Sequence, residues 1–428
     1  MEEIANKGTF KSYLFFWSGQ LFSLLGSMVV FFVITFWIAD IYNDPIISAF
    51  ASFLYILMMT ICMPFAGVIA DRINRKVLII VVDSLQAYIT ILLIIIFYFG
   101  SPDIWIVYLF ISLRSVFQAF HVPTVNAIIP TMVPKDKLSR INGVNFLFTG
   151  VVQLLAPFIG AMMLVFLSVY MILWVDVITF FIALIPLLLI NIPSVRQVNH
   201  TEEKKAKSSF FKEFRLGLKT LKIIPGLVIM VILSMLLNFL IQPVNALMSL
   251  FIIDNHGGGV GHLALAEITF TGGMIAGALV TSIKKNWKNK LRVIFISIII
   301  ALIGYMIFAI APIGNYYIIG LGGAILGFNL PIINALYQTF LQTTVPIDKM
   351  GRVTSIDHAL SSAISPIGAL LAGPMALILG IPSLFFYSGF LGVICTLGFW
   401  SFTGIRKVDI DSKSALEEIN SQIENISI

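Results

Sequence analysis

The sequence predicts an all-α integral membrane protein with twelve transmembrane helices in two parallel six-helix halves. Three observations predict it: long blocks without charge, a one-sided placement of Lys and Arg, and an internal repeat offset by roughly 210 residues. Hydrophobic residues make up 59% and charged residues 11% of the chain, and mean hydropathy is +0.99. A soluble domain carries about 25% charged residues. The apolar excess comes in blocks rather than as one core: residues 12–39, 45–70, 141–175, 293–347 and 358–405 contain no Asp, Glu, Lys or Arg. A helix crosses the hydrocarbon layer in roughly 20 residues, so each block holds one crossing or two.

Turn and breaker signals divide these blocks into spans near 13–39, 46–70, 77–99, 103–131, 140–167 and 169–191. A second set follows at 225–253, 260–284, 292–311, 315–344, 352–380 and 382–404. The amino end mixes Glu2, Glu3, Lys7 and Lys11, and its first apolar run is too long for a cleaved leader, so it reads as a retained first helix. Cys62 and Cys395 lie inside apolar blocks and carry no redox message.

The connections then separate by charge. Those near 40–45, 100–103, 168, 254–262, 312–315 and 381 contain no Lys or Arg, whereas the alternate connections and the two tails hold 26 of the 27. Cytoplasmic loops retain Lys and Arg, which puts both termini and the long 192–224 connection in the cytoplasm. The net charge of +6 is thereby explained by topology rather than by nucleic-acid binding. The chain organises as a bundle over 1–191, a linker over 192–224, a second bundle over 225–404 and a tail over 405–428.

Within the linker, 208–222 places Phe210, Phe214, Leu218 and Leu221 on one helical face and Lys212, Arg215, Lys219 and Lys222 on another. That pattern predicts an interfacial helix on anionic lipid; a solvated linker is the alternative. The tail spaces Leu416, Ile419, Ile423 and Ile426 similarly but is acidic.

The repeat is direct. AFHVPTVNAII at 119–129 aligns with GFNLPIINALY at 327–337 at an offset of 208, and VPKDKLSR at 133–140 aligns with VPIDKMGR at 345–352 at an offset of 212. Gly67 and Arg75 align with Gly277 and Lys285. Parallel six-helix repeats about an axis along the membrane normal are the arrangement of major facilitator transporters.

Local motifs extend that resemblance. GVIADRINRKV at 67–77 resembles the loop between the second and third helices of the major facilitator superfamily, with Gly67, Asp71, Arg72, Arg75 and Lys76 in place and Asn74 where Gly is usual. Asn tolerates a left-handed turn there. The resemblance implies gating roles for these residues and for Arg140, with Asp357 as the acid their charges meet. The run at 114–145 resembles drug/proton antiporters of the macrolide-efflux and siderophore-exporter type, and APFIGA at 156–161 keeps Pro157 and Gly160 of the antiporter motif with Ala156 in place of Gly.

Arg114 matches the fourth-helix arginine of that superfamily and is the one Lys or Arg outside the basic connections. It lies about eleven residues, or roughly 16 Å, from the outer end of its helix. Its repeat counterpart is Gly322, so the scaffold does not require a cation at this depth twice. Asp176 and Glu267 each lie about eight residues, roughly 12 Å, below the same surface. The sixth helix is peripheral in the fold the resemblance implies and the eighth lines the cavity, which favours Glu267 as the partner and Glu267, Arg114 and Asp176 as the proton-coupling groups. A static pair, or satisfaction of Arg114 by carbonyls, is the alternative.

Polar stripes mark a candidate substrate cavity: Gln20, Ser23 and Ser27 on the first helix; Arg114, Gln118 and His121 on the fourth; Asn238, Gln242, Asn245 and Ser249 on the seventh; His358, Ser362 and Ser365 on the eleventh. Such stripes also serve as interhelical hydrogen bonds. Trp17, Phe16, Met230, Met235 and Phe239 would supply adaptable walls. His256 and His262 flank GGGVG without a third ligand, so no metal site is expected. No Gly-Lys pair exists for a phosphate-binding loop, and no catalytic constellation stands out. The expectation is a monomeric plasma-membrane secondary transporter without cofactor, exporting amphipathic small molecules in exchange for protons. A lysophospholipid or metabolite carrier, and a non-transporting sensor or scaffold, are the alternatives.

Overall fold

A computed structural model describes residues 7–100, 102–134, 137–192, 221, 223–224, 226–284, 287–345 and 347–407. Among the described residues, twelve helical spans are long and apolar enough to cross a membrane. Six come first: α1 Lys7–Tyr42, α2 Pro45–Arg72, α3 Arg75–Phe99, α4 Ile104–Met132, α5 Leu138–Phe166 and α6 Val169–Leu189. Then come α7 Leu227–Leu250, extended by a π-helical turn over Phe251–Asn255, α8 Val260–Ile283, α9 Lys290–Ala309 and α10 Tyr316–Thr344. The eleventh span is two helices, α11 Ile347–Ala363 and α12 Ser365–Leu379, and α13 Ile381–Phe402 is the twelfth.

Local chemistry accounts for the ends. Asp44 caps α2 by accepting from the Ile46 and Ile47 amides, and Pro45 occupies the first turn, where its missing N–H is no loss. Asp103 accepts from the Trp105 amide to start α4, and Asn315 from the Ile318 amide to start α10. These two caps are 212 residues apart and open helices of equal length, which fits the repeat read from the motifs. Two sequence expectations are corrected here. Asn74 is not left-handed: at φ −59° it caps α3, its side chain accepting from the Lys76 amide. The span expected over 352–380 is broken at Ile364, because Pro366 has no N–H for the ladder.

The chain forms two compact units. One comprises Met1–Arg196 with Asn245–Thr271 and Ala369–Leu377; the other comprises Gln197–Val244, Gly272–Gly368 and Ile378–Ile428. The expected second bundle over 225–404 is therefore shared between them. Within the first unit, Asn43 donates to Asp254 Oδ1 at 3.2 Å, tying the α1–α2 turn to the 245–271 segment. The proposed lipid-binding helix at 208–222 and the 415–426 tail lie outside the described residues, apart from Leu221.

In the first unit α1 packs against α5 and α6, α3 against α4 and α6, and α2 against α4. Gly26 sets the α1–α6 approach: a Cβ added there would stand 2.0 Å from Thr179 Oγ1 and 3.1 Å from Asp176 Cα. Small residues let membrane helices approach closely, and this approach brings the inner faces of α1 and α6 together. Tyr108 donates to the Ile47 carbonyl at 2.8 Å and Ser115 to the Tyr55 carbonyl at 2.5 Å, holding α4 on α2. In the second unit Gly322 packs as tightly, with an added Cβ 2.6 Å from the Gly304 carbonyl oxygen. The position matched to Arg114 thus has no room for a side chain.

Candidate transport cavity and its buried carboxylates

Three helices of the first unit carry polar residues seven apart on their inner faces: Tyr13, Gln20 and Ser27 on α1, Asp83 and Thr90 on α3, Arg114 and His121 on α4. Seven residues are close to two helical turns, about 10 Å. Packing these helices side by side therefore stacks the polar groups in layers.

The layer nearest the α1–α2 turn is the Arg114 pair. Its partner is Asp176, not the expected Glu267: Arg114 Nη1 lies 2.6 Å from Asp176 Oδ2 and Nη2 lies 3.4 Å from Oδ1. Thr90 donates to Oδ2 at 2.7 Å and Ser27 to Oδ1 at 2.9 Å. Arg114 also meets the Thr90 hydroxyl oxygen. Four helices thus converge on one carboxylate. Asp176 succeeds because α6 is not peripheral to this cluster: Leu173, Asp176, Val177 and Thr179 form its buried face against α1 and α3. Glu267 has no hydrogen bond or ion pair among the described residues.

The next layer centres on Asp83, which is 6% exposed. His121 Nε2 lies 3.3 Å from Asp83 Oδ1 and 2.9 Å from Gln20 Oε1. The third layer is neutral: Tyr13 and Asn145 exchange hydrogen bonds at 3.3 and 3.0 Å. A cavity of about 260 Å³ runs along all three layers. Its walls include Gln20, Ser23, Gln118 and His121 from the predicted stripes, Asp83, Gln86 and Asn126 that those stripes omitted, and Phe16, Trp17 and Phe180. Trp17 is steadied edge-on against Phe148 at 5.2 Å.

The other predicted residues are placed differently. Asn238 donates to the Ser361 carbonyl at 3.1 Å, joining α7 to α11 as interhelical glue. Gln242 is buried beside Gly368, while Asn245 and His358 are exposed. Asp357 is buried and accepts from Tyr337 at 2.5 Å, and Lys76 donates to the Leu188 and Ile190 carbonyls at 2.8 and 2.6 Å, where it caps α6. The side chains of Asp71, Arg72 and Arg140, and the surroundings of Gly67, lie outside the described residues. His256 packs against Phe251 at 4.5 Å and His262 Nδ1 accepts from the Gly259 amide at 3.2 Å, so both serve the α7–α8 turn.

A multi-pass helical bundle enclosing a cavity with buried ionic and hydrogen-bonding groups is the build of a membrane transporter. The sequence profile of the Major Facilitator Superfamily matches residues 16–363, and the chain belongs to that family. It is 27% identical over 395 residues to "Macrolide efflux protein A" of Streptococcus pyogenes, covering 92% of this chain and 96% of that protein. It is 23% identical to "Multidrug resistance protein MdtG" of Proteus mirabilis, covering 87% and 90%. Among solved structures, a POT family transporter bound to a thioalcohol-conjugated peptide superposes with a TM-score of 0.72 at 13% identity, covering 94% and 96%. The nucleoside transporter NupG superposes at 0.64 with 15% identity, covering 90% and 99%. The protein is therefore an integral membrane transporter of small molecules rather than an enzyme.

Proposed function

We propose that this chain exports amphipathic, macrolide-like or siderophore-like compounds from the cell by alternating access, in exchange for protons. The observation that supports it best is the layered cavity, in which apolar and aromatic walls surround buried titratable groups. Adaptable apolar walls suit a permissive site, and a relative 27% identical over most of both chains is named for macrolide efflux. The Lys and Arg asymmetry supports a plasma-membrane protein with cytoplasmic termini. The 208–222 segment is the proposed contact with anionic lipid, and a monomer suffices for the cycle. Gly67, Asp71, Arg72, Arg75, Lys76, Arg140 and Asp357 are proposed to govern the cytoplasmic gate. Arg114 and Asp176 anchor the bundle through which coupling runs, and Glu267 enters as a carboxyl on the eighth span without a polar partner among the described residues.

The test is expression in an efflux-deficient host. A macrolide should accumulate less than in the empty host, and a protonophore should abolish the difference. Accumulation unchanged by expression across a drug panel would sink the export reading. Glu267→Gln in proteoliposomes under an imposed pH gradient checks that residue, since wild-type uphill rates would remove it from the proton path.

A further inference from the structure

Two carboxylates, Asp83 and Asp176, line the cavity of the first unit, and Arg114 is bound to the second of them. Arg114 and Asp176 neutralise each other at 2.6 Å. Asp83 is left over. One of its oxygens meets His121 Nε2 at 3.3 Å, and no other hydrogen bond or ion pair reaches it among the described residues. That nitrogen also faces Gln20 Oε1 at 2.9 Å. A ring nitrogen between two acceptor oxygens carries its hydrogen, so His121 donates from Nε2 to both of them. The other charged and titratable groups around Asp83 are Arg114 on α4, Asp176 on α6 and Tyr13 on α1, with Tyr55 of α2 placed by Arg114. With Asp83 ionised and the imidazole uncharged, the cavity carries one uncompensated negative charge. Such a charge away from water is unfavourable unless a proton or another cation joins it.

Three further observations describe the ligand that carries that cation. Gln20 Nε2 is buried in the cavity wall with no partner, leaving an unused donor for an oxygen on a ligand. Phe16, Trp17 and Phe180 line the same space, and aromatic faces attract alkylammonium groups. Drug-sized ligands occupy pockets of roughly 300–1,000 Å³, so about 260 Å³ holds a head group rather than a whole drug.

We propose that Asp83, with His121 and Gln20, is a head-group site at which a proton and the ammonium end of an amphipathic substrate are alternative occupants. The cation binds the ionised carboxylate, and the proton it displaces leaves Asp83 for water. One monovalent cation therefore exchanges for one proton. This rests on the export reading and supplies its substrate class, cationic amphiphiles.

The experiment uses the full-length protein in detergent with benzyltrimethylammonium, a cation without N–H donors. Calorimetry in two buffers of different ionisation enthalpy counts protons released on binding. The expected count approaches one below the pH at which Asp83 ionises, with affinity falling about tenfold per pH unit as pH drops. Asp83→Asn should weaken binding at least tenfold and release no proton, while His121→Gln should keep the release and move its midpoint. Wild-type protein that binds no cation, or binds it without releasing protons, overturns the proposal; so does Asp83→Asn that behaves as wild type. If Asp83→Asn does not fold, the wild-type proton count decides alone. Export of a panel of cationic and uncharged amphiphiles by cells separates the two readings: failure to export any of them sinks the export reading, whereas a zero proton count with export of any of them intact sinks only this site.

Discussion

Asp83 and Asp176 lie in one bundle, about two helical turns apart, and are held in opposite ways. Asp176 accepts from Arg114, Thr90 and Ser27, so its charge is balanced and its lone pairs are occupied. Among the described residues Asp83 has a single polar partner, a histidine. A saturated ion pair is a fastener: separating it leaves a bare charge in a medium that cannot solvate it. An unsaturated carboxylate is a vacancy for a positive charge, and transport needs such a vacancy at which occupants are exchanged. The arginine that first draws the eye in the sequence thus belongs to the fastener, and the exchange chemistry falls to its quieter neighbour.

The strongest challenge to this contrast is Asp176→Ala. It strands Arg114, and breaking one side of a buried pair costs about 3–5 kcal/mol. The yield of monodisperse protein and its melting temperature should fall sharply, and Arg114→Ala should behave alike. The double variant should recover part of the loss, and additive losses would show that the pair does not act as a unit.

Gly26→Val attacks the same layer through packing. The new side chain would displace Thr179 and push α1 off α6, at about 1–3 kcal/mol for an overpacked site. Its thermal shift should be second largest, and an unchanged melting temperature would mean that this approach does not position Ser27 on Asp176.

Thr90→Val removes one donor from Asp176 while keeping the shape, and a hydrogen bond to a charged group is worth about 1.5–3 kcal/mol, less where Arg114 and Ser27 still hold the carboxylate. A modest destabilisation without change in the proton count on cation binding is expected. A changed proton count would merge the two layers into one titrating unit.

Asp83→Asn sharpens the comparison from the other side. It deletes a charge with little compensation, so stability should change by no more than about 1 kcal/mol in either direction. A melting temperature lowered as far as by Asp176→Ala would erase the distinction between fastener and vacancy.

The contrast also marks where sequence reading stopped. Gln20, Ser23, Gln118 and His121 were visible because they interrupt apolar helices at helical spacing. Asp83 does not stand out in the sequence, because counting residues from the charged loop puts it near the cytoplasmic side, away from Arg114. The available signal was its distance of seven residues from Thr90, repeating the spacing of Gln20 to Ser27 and of Arg114 to His121. Asn238 and His358 obeyed the same stripe rule, yet one bonds a neighbouring backbone carbonyl and the other is exposed.

By itself the sequence determined the number of spans, their ends to within a few residues, the transporter family and the presence of a cation that must be matched. Each of these is local or additive: hydropathy over one crossing, a capping side chain, a charge with no water to solvate it. Which acid matches Arg114 is neither. Asp176 and Glu267 have equal depth along their helices, and depth is all that counting residues supplies. The choice depends on how α6 is rotated and how close it comes. Gly26 sets that closeness by having no side chain where α1 meets Asp176 and Thr179. Rotation and approach are fixed by packing between helices far apart in the chain, so only the tertiary structure could decide which carboxylate is locked and which is left to exchange its partner.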